Sequence, residues 1–191
     1  MMELYFQPIV DLNLQQVVNL TNEISLEENN GGRNSCIMTS YALNNVLCRL
    51  GYDARPVRVE AAVHPNDRKL VGTILGGFPS GDRRPAAGPG GWHGHLAVAI
   101  DDLWLLDPTL DQANKEEWPR DAWVKPIAVK VTDPCFWSGN KSLSVQCNAS
   151  DVRYRLYPRQ NGFAHKGGAR PSRWKPVSDA VIGALGVVGG Y

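Results

Sequence analysis

A thiol, an imidazole and a carboxylate occur in this chain in settings that can join them for nucleophilic acyl transfer: Cys36, His95 and Asp107. Cys36 follows the polar run GGRNS and heads the segment CIMTSYALNNVLCRLGY. In that segment Ile37, Leu43, Val46, Leu47 and Leu50 recur at helical spacing, which predicts a thiol at a helix N-terminus. Unpaired N–H groups and the helix dipole at such an end stabilise a thiolate. A thiolate nucleophile also needs an imidazole to share its proton and a third group to orient that imidazole. His95 opens the stretch HLAVAI and Asp107 closes LWLLD, two predicted strands of a hairpin around Asp101 and Asp102.

Parity tests whether that hairpin brings His95 and Asp107 together. A two-residue turn at Asp101 and Asp102 pairs Leu96 with Asp107 and sends the two side chains to opposite faces. A three-residue turn, Asp101 to Leu103, pairs Ala97 with Asp107. His95, Ala97, Ala99, Leu105 and Asp107 then share one face, with Asp107 diagonal to His95 and within side-chain reach. Leu96, Val98, Ile100, Trp104 and Leu106 form an apolar opposite face. The three-residue turn makes both faces coherent and is the expected one. On this reading the two alanines leave room for the Cys36 helix to lie against their face.

The elements that must position these residues follow a simple order. Residues 12–27 place Leu14, Val17, Val18 and Ile24 on one helical face. The Cys36 helix follows, with Asn34 or Ser35 as its cap and Gly51 just past its end. Strands are predicted at ARPVRVEAAV, at HLAVAI and LWLLD, and then at PIAVKV, SLSVQC and VRYRLY. Helices first and a mainly antiparallel sheet afterwards make an α+β fold. Between the first strand and the hairpin, GGFPSGDRRPAAGPGGWHG is a long glycine- and proline-rich stretch of the kind used for lids, binding loops or plain insertions. After about residue 160 the chain reads as a linker carrying Lys166, Arg170, Arg173 and Lys175, then a short apolar tail, VSDAVIGALGVVGGY. The division is therefore a domain at 1–160 and a linker with tail at 161–191. The tail is a candidate short helix that docks on the domain or on a partner.

The stretch NSCIMTSYALNNVLCRLGYDARPVRV, followed by HLAVAIDDLWLLDPT, resembles the core of the transglutaminase-like superfamily of papain-like cysteine enzymes, over about residues 31–111. Arylamine N-acetyltransferase cores share the arrangement, but the further downstream domains of those enzymes are not expected here. The resemblance implies Cys36 as nucleophile, His95 as base and Asp107 as the acid that orients it. The oxyanion of the reaction falls to the Cys36 backbone N–H and one more donor, with Asn34 and Trp92 as candidates. Leu96 and Ala97 follow His95 where the family often carries an aromatic, so the substrate class stays open.

Other readings stand beside this one. His93 precedes His95 by two residues and, with an aspartate, would make a zinc hydrolase site; otherwise it belongs to the rim. No further histidine lies at ligand spacing, so no metal and no cofactor are expected. His64 and His165 lie in polar loop contexts and are expected to be exposed. Cys48, inside the Cys36 helix, is expected to be a small buried apolar residue. A net charge of +1 from 20 basic and 19 acidic residues gives no chain-wide field to draw in nucleic acid. No export signal and no apolar run of about 20 residues is evident, which predicts a cytoplasmic protein without a membrane span. The four cysteines form no CxxC pair and are expected as thiols, with Cys135 and Cys147 able to pair only if the chain were exported. The expected function is a cysteine hydrolase or acyltransferase, protease- or amidase-like, acting on a protein, a peptide or a small acyl or amide substrate. The alternative is a papain-like interaction module whose cysteine is unused.

Overall fold

The structure, a computed structural model, describes residues 13–29, 35–76, 94–157, 164 and 167–186. It is an α+β fold of three helices and one antiparallel sheet. Helix α1, Leu14–Glu28, starts at Asn13, whose side chain accepts the Gln15 N–H. Its buried stripe is Val17, Val18, Thr21, Asn22 and Ser25. The polar members are satisfied: Thr21 donates to the Val17 carbonyl, Ser25 shares a 2.5 Å hydrogen bond with Thr39, and Asn22 donates to Asp111. Helix α2, Cys36–Arg49, closes at Gly51, whose φ of +89° lets Gly51 N–H reach the Cys48 carbonyl and Tyr52 N–H reach that of Leu47. That is a Schellman ending, and it needs glycine at its left-handed position.

The strands are β1 (Ala54–Pro65), β2 (Thr73–Leu75), β3 (His95–Ile100), β4 (Trp104–Asp107), β5 (Ile127–Lys130), β6 (Ser142–Cys147) and β7 (Ser150–Leu156). They run β5-β4-β3-β1-β7-β6, all antiparallel. Strand β2 was not foreseen in the sequence. It pairs with Ala61–Val63 of β1 on the edge opposite β7, in line with β3.

The sheet has two covered faces. One carries Val57, Val59, Ala61, Ala97, Ala99, Leu105, Val152 and Tyr154 and is filled by Leu110, Trp118, Val124 and Phe136. The other presents Val98, Ile100 and Leu106 to Val17, Val18, Leu43, Val46 and Leu47 of α1 and α2. Helix α2 thus packs on the large-residue face, not on the alanine face where it was expected. Ala97 and Ala99 instead leave room for the aromatic and aliphatic side chains inside the curved sheet.

The C-terminal region also differs from its sequence reading. Helix α3, Pro171–Ala184, begins within the basic stretch taken as linker and incorporates Arg173 and Lys175. Its Val177, Val181 and Ile182 join the core with α1 and α2, so this helix docks on its own chain rather than on a partner. Ser178 donates to Asn45 at 2.7 Å, and Arg49 and Lys175 both pair with Asp179. No helix among the described residues is long and apolar enough to cross a membrane.

Candidate active site

The site is assembled where the head of α2 meets the start of β3. Cys36 is the first residue of α2 and is 8% exposed, with its sulfur 4.0 Å from the Gly94 carbonyl oxygen. Ser35 stands at the N-cap but makes no capping bond with its side chain; its Oγ accepts from Gln112 Nε2 at 3.4 Å. One turn into α2, Ser40 donates to the Leu96 carbonyl at 2.8 Å and pins the helix to β3 beside His95.

The hairpin has the three-residue turn. Val98 pairs with Leu106, Ala99 with Leu105 and Ile100 with Trp104. Asp101 and Asp102 both take φ of +51°, and Leu103 N–H closes the turn on the Ile100 carbonyl. Aspartate tolerates that left-handed region better than most side chains. Arg55 pairs with Asp102, while burial and the neighbouring charges of Asp53 and Asp102 push the Asp101 carboxyl up. This register sets Asp107 diagonally from His95, and His95 Nε2 lies 2.8 Å from Asp107 Oδ2.

Asp107 is completely buried and its acceptor capacity is used on both oxygens. Oδ2 also accepts from the Tyr154 hydroxyl at 3.0 Å, and Oδ1 accepts from Thr109 N–H at 3.1 Å. The short DPT segment therefore serves a local purpose: its threonine N–H turns back to hold the carboxylate. The Cys36 sulfur lies near the same His95 ring, close enough to help raise its pKa. With Nε2 occupied by Asp107, Nδ1 is the nitrogen left for sulfur. Burial alone would lower the His95 pKa, but the charge and hydrogen bond of Asp107, assisted by Cys36, outweigh it and raise the pKa from 6.5 to about 10. That shift favours the imidazolium form of the ring. Burial and the Asp107 charge push the Tyr154 hydroxyl well up, so it remains a donor.

The structure thus brings Cys36, His95 and Asp107 together. Asn34, Trp92, His93 and His165 lie outside the described residues. His64 is exposed, as expected, but on β1 rather than in a loop. Cys48 is exposed at the end of α2, not buried; its thiol faces the Ala54 carbonyl. All four cysteines are unpaired. Among the described residues, no group of three His, Cys, Asp or Glu side chains is placed to hold a metal ion.

Two participants escaped the sequence reading. Tyr154 lies between Val152 and Leu156 on the inward face of β7, and a tyrosine in an apolar row needs a partner for its hydroxyl. Gln112 sits in a short 3-10 turn, Leu110–Ala113, and nothing in its sequence context singles it out. Beside Gln112, Asp111 accepts from Asn22 of α1; burial pushes its carboxyl up, with the Asp107 charge adding to the effect.

Gly76 and His95 lie against each other. A Cβ at position 76 would fall 2.4 Å from His95 N and 2.6 Å from the Val59 carbonyl oxygen, and Gly76 has φ of +71°. Gly76, just past β2, and Gly94, just before β3, therefore both lie beside this histidine.

No protein-family model, curated protein or solved structure matches this chain.

Proposed function

We propose that the chain is a cysteine hydrolase or acyltransferase with a papain-like, transglutaminase-like core, acting on an amide or ester carbonyl through an acyl-enzyme. The observation that carries this reading is the buried His95 ring, held by Asp107 on Nε2 beside the Cys36 thiol at the head of α2. An imidazolium beside a sulfur at a helix head is the arrangement that favours an attacking thiolate.

In this reading the Cys36 sulfur attacks the carbonyl carbon, a C–S bond forms, and the carbonyl oxygen becomes an oxyanion. The Cys36 N–H, at the first position of α2, has no partner within its helix and is the first donor we assign to that oxygen. Gln112 is the described side-chain amide we assign as second donor, because it already reaches Ser35. Collapse of the intermediate breaks the bond to the amine or alcohol, which takes the proton from His95 and leaves a thioester on Cys36. Water or an acceptor nucleophile then gives its proton to the neutral His95 and attacks the thioester, and the thiolate departs. Asp107 keeps the ring oriented and stabilises its charged form in both halves. Protease or amidase chemistry is favoured over cross-linking, and the unpaired cysteines agree with a reducing, cytoplasmic setting.

One observation favours the alternative of an interaction module: Cys36 is only 8% exposed. Two measurements separate them. With p-nitrophenyl acetate, the enzyme reading expects a burst of one nitrophenolate per chain and an acetyl group mapped to Cys36. With limiting iodoacetamide at pH 5.5, Cys36, at a helix head beside the His95 ring, should outreact Cys48, Cys135 and Cys147. No burst together with Cys36 lagging the other three would leave the enzyme reading without support.

A further inference from the structure

The two end strands of the sheet are treated differently. On β5, the Gln15 side chain of α1 donates to the Pro126 carbonyl and accepts from Ala128 N–H, both at 2.8 Å, so an amide group covers the free edge as a neighbouring strand would. On β6, no backbone group of Ser142–Cys147 bonds to anything outside its ladder with β7 among the described residues. Nor does SLSVQC contain the lysine, proline or inward-pointing charge with which chains blunt an exposed edge. On the inner side, Leu143, Val145 and Cys147 form a half-buried row that one more strand would finish covering.

The outer side supplies the chemistry. Arg153 stands between Ala62 of β1 and Ser144 of β6, and Arg155 stands between Glu60 and Ser142. The small residues leave a cavity of about 420 Å³ bounded by both arginines, His64, Lys141, Ser142 and Glu60, whose carboxylate accepts from the Tyr157 hydroxyl. Neither guanidinium forms an ion pair among the described residues, whereas Lys141 is held by Asp133. Over serines as short as Ser142 and Ser144, the two arginines can reach toward side chains of a strand added beyond β6.

We propose that β6 is a docking edge for an extended acidic peptide of a partner protein, which adds a strand to the sheet with its carboxylates toward Arg153 and Arg155 and its apolar residues beside Leu143, Val145 and Cys147. Main-chain bonds supply affinity in such strand addition and the alternating side chains supply selectivity. A second copy of this chain fits less well: β6 pairing with β6 would line both arginine pairs along one continuous face, and like charges there oppose association. Arg153 and Arg155 lie on the face of β7 opposite Tyr154, the residue of that strand that reaches Asp107.

The test uses the full chain and a fluorescein-labelled heptapeptide with glutamate at alternate positions and valine between, read by anisotropy. The wild type should bind it at least about tenfold more tightly than the matching lysine peptide. Arg153→Gln with Arg155→Gln should weaken binding about tenfold or more with an unchanged melting temperature, and Arg153→Glu with Arg155→Glu should weaken it further. Cys36→Ser should bind as the wild type does, which keeps this result separate from the fate of the enzyme reading. Hydrogen exchange should slow at Ser142–Cys147 when the peptide is present. Equal binding of the two peptides, no binding at millimolar peptide, full affinity in the double variants, or protection away from β6 would each overturn the proposal. So would a concentration-dependent dimer in sedimentation that protects the same amides without peptide.

Discussion

Asp107 accepts three hydrogen bonds in a fully buried site, so exchanging it for asparagine keeps the shape but replaces a charge with an amide whose NH2 must face a donor. His95 then loses the group that holds its proton. We expect Asp107→Asn to lower turnover by about ten- to a thousand-fold and to slow alkylation of Cys36 at neutral pH. Asp111→Asn is the control: asparagine can still accept from Asn22, and both rates should stay nearly unchanged. Loss of labelling in Asp111→Asn with Asp107→Asn intact would move the acid of the site to position 111. The His95 proton also ties stability to pH. The folded chain holds it to about pH 10, whereas the group's ordinary value is 6.5. Unfolding therefore releases a proton between those limits. The stabilisation is complete below about pH 6.5 and is lost as pH rises toward 10, by on the order of a few kcal/mol. Urea midpoints across that window should fall more steeply for the wild type than for His95→Gln. Parallel curves would mean that the buried ring is neutral.

At the scale of elements, the head of β3 depends on one glycine. Alanine at position 76 meets a left-handed backbone and two backbone atoms under 3.0 Å away, one of them His95 N. The neighbour that must shift is the strand carrying the imidazole. Gly76→Ala should therefore destabilise by about 2 kcal/mol or more and reduce Cys36 reactivity as well. Gly183→Ala, inside α3 with nothing within 4 Å of the new methyl, should stabilise by up to about 1 kcal/mol and leave reactivity alone. A Gly76→Ala chain with normal labelling would show that β3 can shift without moving His95. The same elements mark what residue patterns disclose. Parity separates a two- from a three-residue turn, so the pairing of Ala99 with Leu105 is legible in the sequence, and with it the meeting of His95 and Asp107. The layer that covers each face is not legible, because both faces are apolar and the filling of the alanine side comes from Leu110, Trp118, Val124 and Phe136 in irregular segments. Strand β2 is three residues long, too short to show a period. Tyr154 is a readable oddity on β7, but its partner lies 47 residues away along the chain.

For the whole molecule, the helix layer is built from both ends of the described chain. α1, α2 and α3 pack against one another, and the strands between α2 and α3 in the chain carry His95 and Asp107. A linker reading of the basic stretch follows from Lys166, Arg170, Arg173 and Lys175 without an acid among them, with prolines and glycines around them. Two facts override that composition. Pro171 occupies the first turn, where a proline N–H is not missed, and Pro176 lies on an exposed side of the helix. Meanwhile Val177, Val181 and Ile182 recur at helical spacing and are withdrawn from water against Val17, Val18, Ala42 and Val46. Burial of that stripe, not intrinsic propensity, holds α3. The consequence is measurable, because a solvated tail tolerates truncation of its side chains and a core helix does not. Val177→Ala and Val181→Ala should each cost about 1–3 kcal/mol in urea unfolding. Val181→Asp, an unpaired charge in a dry interface, should prevent folding or leave α2 loosened. The exposed-face control Ala180→Ser should change stability by less than about 0.5 kcal/mol. Because α2 carries Cys36 at its head, Val181→Ala should also slow labelling of Cys36 by a small factor while leaving exposed Cys135 unaffected. If both valine variants unfold at the wild-type midpoint, α3 does not belong to the core, and the boundary after about residue 160 regains its place.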